Sequence, residues 1–212
     1  YRFVMLGLSS ENYRELEQLY PGQFEFRKMH EGSFDYVYRI EKLVHLKGNK
    51  LHSKRNHINY FKKTFSNWRF ELITEDNLEE CWQMNLKWCE QHSSENAVIA
   101  SECCAVKRCF ENFEALGLEG ALIRLDGQVI AYTMGEQLNS KTYVIHVEKA
   151  FSEFRGAYQM INREFAAYVH QKYPHLIYMN REEDMGFEGL RKAKMSYYPD
   201  AMEEKYSATY RE

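Results

Sequence analysis

An Asp-Gly pair, Asp126-Gly127, separates two apolar segments and constrains the fold of this 212-residue chain more than any other feature. The segments on either side, Ala121–Leu125 and Val129–Leu138, have the composition of β-strands. Asp and Gly adopt positive φ at low cost, so this pair favours the two-residue turn of a β-hairpin. Thr142–Ala150 repeats the strand pattern after a second short turn. The sequence therefore predicts a meander of three antiparallel strands.

A helix and a further strand follow the meander. Ala157–Tyr173 has helical spacing between Gly156 and Pro174, and the short apolar segment Leu176–Asn180 comes next. A strand, a helix and a second strand that share one sheet form a crossover whose two strands run parallel. Together with the meander, this order predicts an α+β fold in which a mixed sheet is flanked by helices.

Helical or alternating spacing predicts the remaining elements. Phe24–Met29 and Phe34–Ile40 alternate around a four-residue turn and predict a hairpin. Strands are also expected at Trp68–Thr74 and Lys205–Tyr210. The expected helices are Ser10–Tyr20, Leu51–Phe65, one running from a Thr74 cap to Trp88, Ser101–Leu116 and Phe187–Tyr197.

The composition excludes several classes of protein. A net charge of −3 and a pI near 6.3 exclude a uniformly basic nucleic-acid-binding domain, although they are compatible with a local basic patch. No apolar run approaches the roughly 20 residues that a membrane-spanning helix needs, so we expect a cytoplasmic protein with at most a peripheral membrane contact. The five cysteines lack CxxC spacing, which favours reduced thiols and predicts no metal site.

A basic segment precedes the strand at Trp68. Between Lys47 and Lys63 there are six Lys or Arg residues, two His and no acidic residue. Lys54 and Arg55 are expected on the face of the Leu51–Phe65 helix that lies opposite its apolar residues. Such a segment can bind the phosphates of tRNA or an anionic membrane surface. The alternative is a solvated helix whose lysine stems cover apolar surface.

Four segments carry a resemblance to a known family. They are LHSKRNHINYFKK (51–63), VIHVEKA (144–150), FRGAYQMINREFA (154–166) and YMNREEDMGFEGLRKAKMSYYP (178–199). The chain resembles the C-terminal catalytic domain of phosphatidylglycerol lysyltransferases, which is similar to the Fem-type aminoacyltransferases and has the GNAT fold. The resemblance implies a tandem arrangement, with residues 1–45 as the tail of a first GNAT-like half, 46–66 as a basic connecting helix and 67–212 as the catalytic half.

The GNAT-like fold implies a site where the two crossover strands end. A donor would enter between their carboxyl ends, where ligands of open α/β sheets generally bind. The residues at these ends are Glu148, Asn180 and Glu182, with His146 two residues before Glu148. Glu148 is the expected proton acceptor, His146 the alternative base, and Asn180 a hydrogen-bond donor to the oxyanion. The alternative is that Glu148 forms an ordinary ion pair with Lys149, Arg191 or Lys194.

A run of mixed charge follows the last of these strands. Residues 180–194 contain four acidic and four basic residues, among which Arg191 and Lys194 are candidate ligands of an anionic substrate. A solvated charged face is the alternative interpretation of such a run.

The turn before the crossover helix bears on the donor. Where coenzyme A-binding GNAT enzymes hold the pyrophosphate with backbone N–H groups, this chain keeps Arg155 and Gly156 as candidate anion ligands. Glu153 and Tyr158, however, depart from the coenzyme A pattern. The resemblance therefore implies a transferase with no permanently bound cofactor and no metal, which moves an aminoacyl or acyl group to an amine or hydroxyl. Aminoacyl-tRNA is favoured as donor; the alternatives are an acyl-CoA N-acyltransferase and a non-catalytic module that binds an anionic partner.

Overall fold

The computed structural model describes residues 3–92 and 97–211. The chain forms ten strands and seven α-helices within these ranges. In chain order they are β1 Val4–Ser9, α1 Ser10–Leu19, β2 Phe24–Lys28, β3 Asp35–Arg39, α2 Ile40–His45, α3 His52–Thr64, β4 Trp68–Leu72, α4 Glu75–His92, α5 Ala97–Glu111, β5 Glu119–Leu125, β6 Gln128–Gln137, β7 Thr142–Ala150, α6 Ala157–Lys172, β8 Tyr178–Asn180, α7 Glu188–Met195, β9 Ala201–Glu203 and β10 Lys205–Tyr210.

The chain divides into two compact units. One unit comprises residues 1–38 and 180–212, and the other comprises residues 39–179. This division follows compactness and does not locate the boundaries of two GNAT-like halves. The predicted boundaries at residues 45 and 66 therefore stay a prediction.

The predicted meander is the centre of the 39–179 unit. β4, β5, β6 and β7 pair antiparallel in that order, with Trp68 opposite Leu125 and Leu72 opposite Ala121 at the first pair. Asp126 and Gly127 have φ of 47° and 88°, as the tight turn between β5 and β6 requires. The apolar residues of β5 and β6 are almost fully buried, so the core of this unit lies around these two strands.

The crossover from β7 through α6 to β8 is also confirmed. β8 is the neighbour of β7 in the sheet. The N–H groups of Ile177 and Tyr178 donate to the carbonyl of Lys141 at 2.8 and 2.9 Å, so both strands begin at the same place. Strands that start side by side run parallel, and with the antiparallel meander they make the mixed sheet of a GNAT-like α+β fold. α6 covers this sheet with a buried face that includes Met160, Ile161 and Phe165.

A disulfide joins α4 to α5. Cys89 and Cys103 are bonded, and their Cα atoms lie 6.8 Å apart. The expectation that all cysteines are reduced is therefore wrong for this pair. The sequence shows two helices of similar length but not which of their faces meet, so the spacing of the cysteines gave no sign of the bond.

The 1–38 and 180–212 unit contains a three-stranded sheet and the strands β3 and β9. β10 lies between β1 and β2, antiparallel to both. β3 pairs antiparallel with β9, with Asp35 opposite Glu203. The predicted hairpin between the second and third strands is therefore wrong, although both strands exist. Residues Glu31–Ser33 form a 3-10 turn, and the partners come from the other end of the sequence.

Candidate functional site

A β-bulge places His146 at the centre of β7. Met134 lies opposite Val147 and Gly135 lies opposite Ile145, so His146 is the extra residue between two regular pairs. Gly135 permits the bulge, because a Cβ at that position would overlap a backbone carbonyl of β7. Bulges re-aim side chains and are over-represented beside active sites.

Glu148 follows the bulge and is held by α6. The Nδ2 of Asn162 donates to Oε2 of Glu148 at 2.9 Å. Asn162 is only 3% exposed, and its Oδ1 has no hydrogen-bond partner within the described ranges. The Nε2 of His146 lies 3.1 Å from the carboxylate of Glu136. The two predicted bases of β7 therefore have different neighbours.

Lys149, next to Glu148, is buried and has a partner of its own. Its Nζ lies 2.7 Å from the carboxylate of Glu102 and 3.6 Å from the centroid of the Trp88 ring. Burial lowers the pKa of Lys149, and the attraction of Glu102 opposes this effect. Trp88 in turn donates from Nε1 to the hydroxyl of Tyr158 at 3.2 Å. Lys149, one of the three cations that the alternative interpretation offered to Glu148, is thus engaged with another carboxylate.

The turn before α6 combines a glycine cap with an exposed cation. Gly156 has φ of 97°, and a Cβ there would lie 2.5 Å from the carbonyl oxygen of His57. The backbone of α3 thus packs closely against the start of α6, where no side chain caps the helix and the first N–H groups carry a partial positive charge. Arg155 is exposed, with its guanidinium 4.6 Å from the centroid of the Tyr60 ring.

The structure gives Lys54 and Arg55 positions that the sequence did not predict. Lys54 is 9% exposed and lies on the same face of α3 as Ile58 and Phe61, so its placement on the polar face is wrong. Arg55 donates to the carbonyl of Leu46 and, at 2.8 Å, to that of Gly48, at the end of α2. These contacts give Arg55 a role in closing the preceding helix.

The exposed cations of the basic segment are other residues. The side chains that face solvent are Lys47, Lys50, Lys62 and Lys63. His57 of the same segment is half-buried; burial lowers its pKa, and the charges of Arg155 and Lys54 lower it further. The exposed positive charge of this segment therefore comes from four lysines rather than from Lys54 and Arg55.

In the other unit, Lys194 holds the charged loop, Arg181–Phe187. Lys194 is 8% exposed, and its Nζ donates to the carbonyls of Arg181, Glu182 and Glu183 at 2.5, 3.1 and 2.6 Å. An ammonium has three N–H donors, and these three carbonyls use them. The contacts give Lys194 a structural role, and its binding of a substrate anion stays a prediction.

Asp184 anchors the same loop from inside. Its carboxylate accepts from the Tyr36 hydroxyl at 2.5 Å, from the Gly186 N–H at 2.8 Å and from the Arg191 guanidinium at 2.8 Å. Burial alone would raise the pKa of Asp184, but the bonds from Arg191, Tyr36 and Gly186 outweigh it and lower the pKa to about 2. Burial, with the bond to Asp184, raises the pKa of Tyr36 to about 12. The guanidinium of Arg191, whose side chain is 41% exposed, is thus paired with a buried carboxylate.

We expect Asp184→Asn to reduce the acid sensitivity of folding. Because the folded pKa is about 2 against an ordinary 3.8, the ionised carboxylate contributes about 2 kcal/mol above pH 3.8, and this is lost as the pH falls toward 2. Urea unfolding between pH 5 and 2.5 should show a shallower loss in the variant. Glu188→Gln, at an exposed position of α7, is the control and should keep the wild-type slope. Equal slopes for Asp184→Asn and wild type would contradict this role.

Asn180 and Glu182 lie at the start of the charged loop. Asn180 is buried and donates from Nδ2 to Asp35 at 2.9 Å, while its Oδ1 accepts from the Glu182 N–H at 2.7 Å. Asp35 is also 2.6 Å from the ammonium of Lys205, which lies 2.7 Å from Glu183. Glu182 has φ of 54°, which the surrounding bonds hold in place. Asn180 is thus a backbone-fixing residue here, and its role toward an oxyanion stays a prediction.

The predicted site residues fall into two groups, one in each unit. His146, Glu148, Arg155, Gly156, Lys54 and Arg55 belong to the 39–179 unit, and Asn180, Glu182, Arg191 and Lys194 belong to the other. Sequence reasoning missed Asn162, which touches Glu148. A polar residue among the apolar positions of a helix was the available signal.

The described parts of the chain contain neither a membrane-spanning helix nor a cluster of metal-binding side chains. Within 3–92 and 97–211, no helix has the length and apolar character needed to cross a membrane. No group of three or more His, Cys, Asp or Glu residues in these ranges is arranged to hold a metal ion.

Comparison with known proteins identifies relatives of this fold. An uncharacterised protein of Mycoplasmoides gallisepticum is 26% identical over 201 residues, which are 91% of this chain and 61% of the relative. The chain thus spans less than two thirds of that relative. A crystal structure of a conserved protein of unknown function from Bacteroides thetaiotaomicron is 40% identical, with a TM-score of 0.90, over all of this chain and 70% of the other.

More distant structures share the fold. The structure of L-PGS from Bacillus licheniformis is 15% identical, with a TM-score of 0.67, over all of this chain and 68% of that one. FemX is 10% identical, with a TM-score of 0.68, over 98% of this chain and 71% of that one. These likenesses confirm the expected GNAT-like, Fem-type architecture. The sequence profile described as "Phosphatidylglycerol lysyltransferase, C-terminal" matches residues 1–209, so the chain belongs to this family of aminoacyltransferase-like domains.

Proposed function

We propose that the chain transfers an aminoacyl group from aminoacyl-tRNA to an amine or hydroxyl acceptor of a lipid or the cell envelope. The observation that carries this proposal is the bulged strand β7, with His146 at the bulge and Glu148 fixed by Asn162 beyond it. Membership of the family and the likeness to FemX and L-PGS support a transferase of this class.

In the proposed reaction the acceptor nitrogen or oxygen attacks the ester carbonyl of the aminoacyl-tRNA. A new bond forms to the carbonyl carbon, and the proton of the nucleophile passes to the carboxylate of Glu148. When the tetrahedral intermediate collapses, the bond to the tRNA ribose oxygen breaks, and that oxygen takes the proton from the carboxyl group of Glu148, which is thereby returned to its starting state. The step uses one proton acceptor and needs no oxidant or reductant.

The turn before α6 offers contacts to an anionic donor. The Tyr158 hydroxyl accepts a hydrogen bond from Trp88, and Arg155 is an exposed cation next to the N-terminus of α6. A single exposed cation and a helix N-terminus suit one phosphate of a nucleic-acid end. Because they are equally suited to a pyrophosphate, acyl-CoA is kept as the second candidate donor.

The test is a donor screen with the unmodified 212-residue chain. Lysyl-tRNA carrying radiolabelled lysine is incubated with vesicles of phosphatidylglycerol, and in parallel radiolabelled acetyl-CoA is offered with lysine as the acceptor. Label in the lipid fraction supports the proposal. Label transferred only from acetyl-CoA would establish acyl-CoA as the donor. Transfer from neither donor would indicate a non-catalytic module that binds an anionic partner.

The basic segment predicts how tRNA affinity depends on salt. If the four exposed lysines contact phosphates, log affinity should fall with log salt concentration at a slope of about −3 to −4. Lys47→Glu with Lys63→Glu should make that slope less steep by roughly 2. Lys54→Met is the control, since Lys54 is buried. Fluorescence anisotropy with labelled tRNA measures the slopes. An identical slope in the double variant and the wild type would show that the segment is a solvated surface that does not contact tRNA.

A further inference from the structure

We propose that Asn162 is a positioning residue that holds the carboxylate of Glu148 in the orientation needed for proton transfer. This inference rests on the proposed function and adds to it a residue that acts through the proton acceptor. Asn162 lies on α6, and Glu148 lies on β7. The hydrogen bond between them therefore fixes the reacting side chain to a rigid helix.

The chemistry of the pair determines how the amide is oriented. An ionised carboxylate only accepts hydrogen bonds, so the amide must present its NH2 group to Glu148. The distance of 2.9 Å from Nδ2 to Oε2 agrees with this. The amide oxygen consequently points away from Glu148.

The amide oxygen lacks a hydrogen-bond partner among the described residues, which argues against a purely structural role. Oδ1 of Asn162 is buried and has no hydrogen-bond donor among the residues that the structure describes. A buried acceptor without a donor destabilises the folded protein, whereas a Leu of similar size at this position would not. The neighbouring positions Ile161, Phe165 and Ala166 are buried and apolar. Packing alone would therefore favour Leu, and the bond to Glu148 is what accounts for Asn.

Holding one carboxylate oxygen affects the rate because proton transfer depends on the position of the acceptor. An error of about 1 Å in a catalytic group reduces the rate roughly 100-fold. A glutamate side chain has three rotatable bonds, and the bond from Asn162 removes most of the freedom of its end group. The predicted effect is thus on turnover rather than on substrate affinity.

The experiment measures stability and transfer in the same variants. Asn162→Leu should unfold within about 2 °C of the wild type or above it, while kcat falls roughly 10- to 100-fold and KM is unchanged. Asn162→Asp has the same shape but repels Glu148, so it should lower kcat further. In a Glu148→Gln background, Asn162→Leu should cause no additional loss, because both changes act through one group. Gln159→Leu on the same helix is the control and should retain wild-type turnover.

Any of the following results would overturn the inference. A fall of many degrees in the unfolding temperature of Asn162→Leu would make Asn162 a structural residue. Wild-type turnover in a stable Asn162→Leu, or a full additional loss in the Glu148→Gln background, would show that it does not act through Glu148. A wild-type protein that is inactive with every donor would instead overturn the proposed function, and the role of Asn162 with it.

Discussion

Glu148→Gln should lower turnover by about 10²- to 10⁴-fold, the usual effect of losing a general base. Gln has the size of Glu and keeps an oxygen that can accept the bond from Asn162, but it does not take up a proton. The free energy of unfolding should therefore change by less than about 1 kcal/mol. Single-turnover transfer from lysyl-tRNA, with urea unfolding of the same preparation, measures both quantities.

Glu182→Gln and His146→Gln are the matched comparisons for this experiment. Glu182 belongs to the other unit, and His146 lies beside Glu136 rather than Asn162. If Glu182→Gln alone abolishes transfer, the predicted roles of Glu148 and Glu182 are exchanged. If Glu148→Gln unfolds the protein without a separate kinetic effect, Glu148 is structural and its catalytic assignment fails.

The parts of the fold that sequence predicts are those with local signals. The turn at Asp126-Gly127 requires two residues at positive φ, and an adjacent Asp-Gly pair is the sequence signal for this conformation. The crossover helix is bounded by Gly156 and by Pro174, and both bounds are nearly those observed. Neither prediction depends on what other parts of the chain do.

Strand pairing between distant segments was not predictable. β2 and β3 have the alternation of a hairpin, but β2 pairs with β10 and β3 pairs with β9. Alternation shows that a segment is half-buried, and it does not show which strand lies beside it. β9 has only three residues, too few for a periodic pattern.

In the candidate site, too, the local features were predictable from the sequence and the long-range contacts were not. The sequence located Glu148 and Asn180 near strand ends, because strands are local elements. The partners Asn162 for Glu148 and Glu102 for Lys149 come from helices, and only tertiary packing brings them to β7. The burial of Lys54 and Lys194 was missed for a related reason. A lysine in an amphipathic pattern is read as exposed, although a buried ammonium is stable when carbonyls surround it.

Lys194→Met should strongly destabilise the 1–38 and 180–212 unit. Met fills most of the space of the lysine stem but leaves the carbonyls of Arg181, Glu182 and Glu183 without their donor. Three such buried groups, partly rescued by water, correspond to a loss of about 3 kcal/mol in the free energy of unfolding. Urea unfolding measures this loss.

Lys192→Met separates this effect from a general effect of removing charge. Lys192 lies on the same helix two residues earlier and is exposed, so its replacement should change the free energy of unfolding by less than about 0.5 kcal/mol. Because Lys194 also holds the backbone that carries Glu182, Lys194→Met should speed hydrogen exchange of the amides in the charged loop, whereas Lys192→Met should leave it unchanged. Equal stability of the two variants would mean that the loop is held by Asp184 and its partners alone, and that the ammonium of Lys194 is dispensable for the fold.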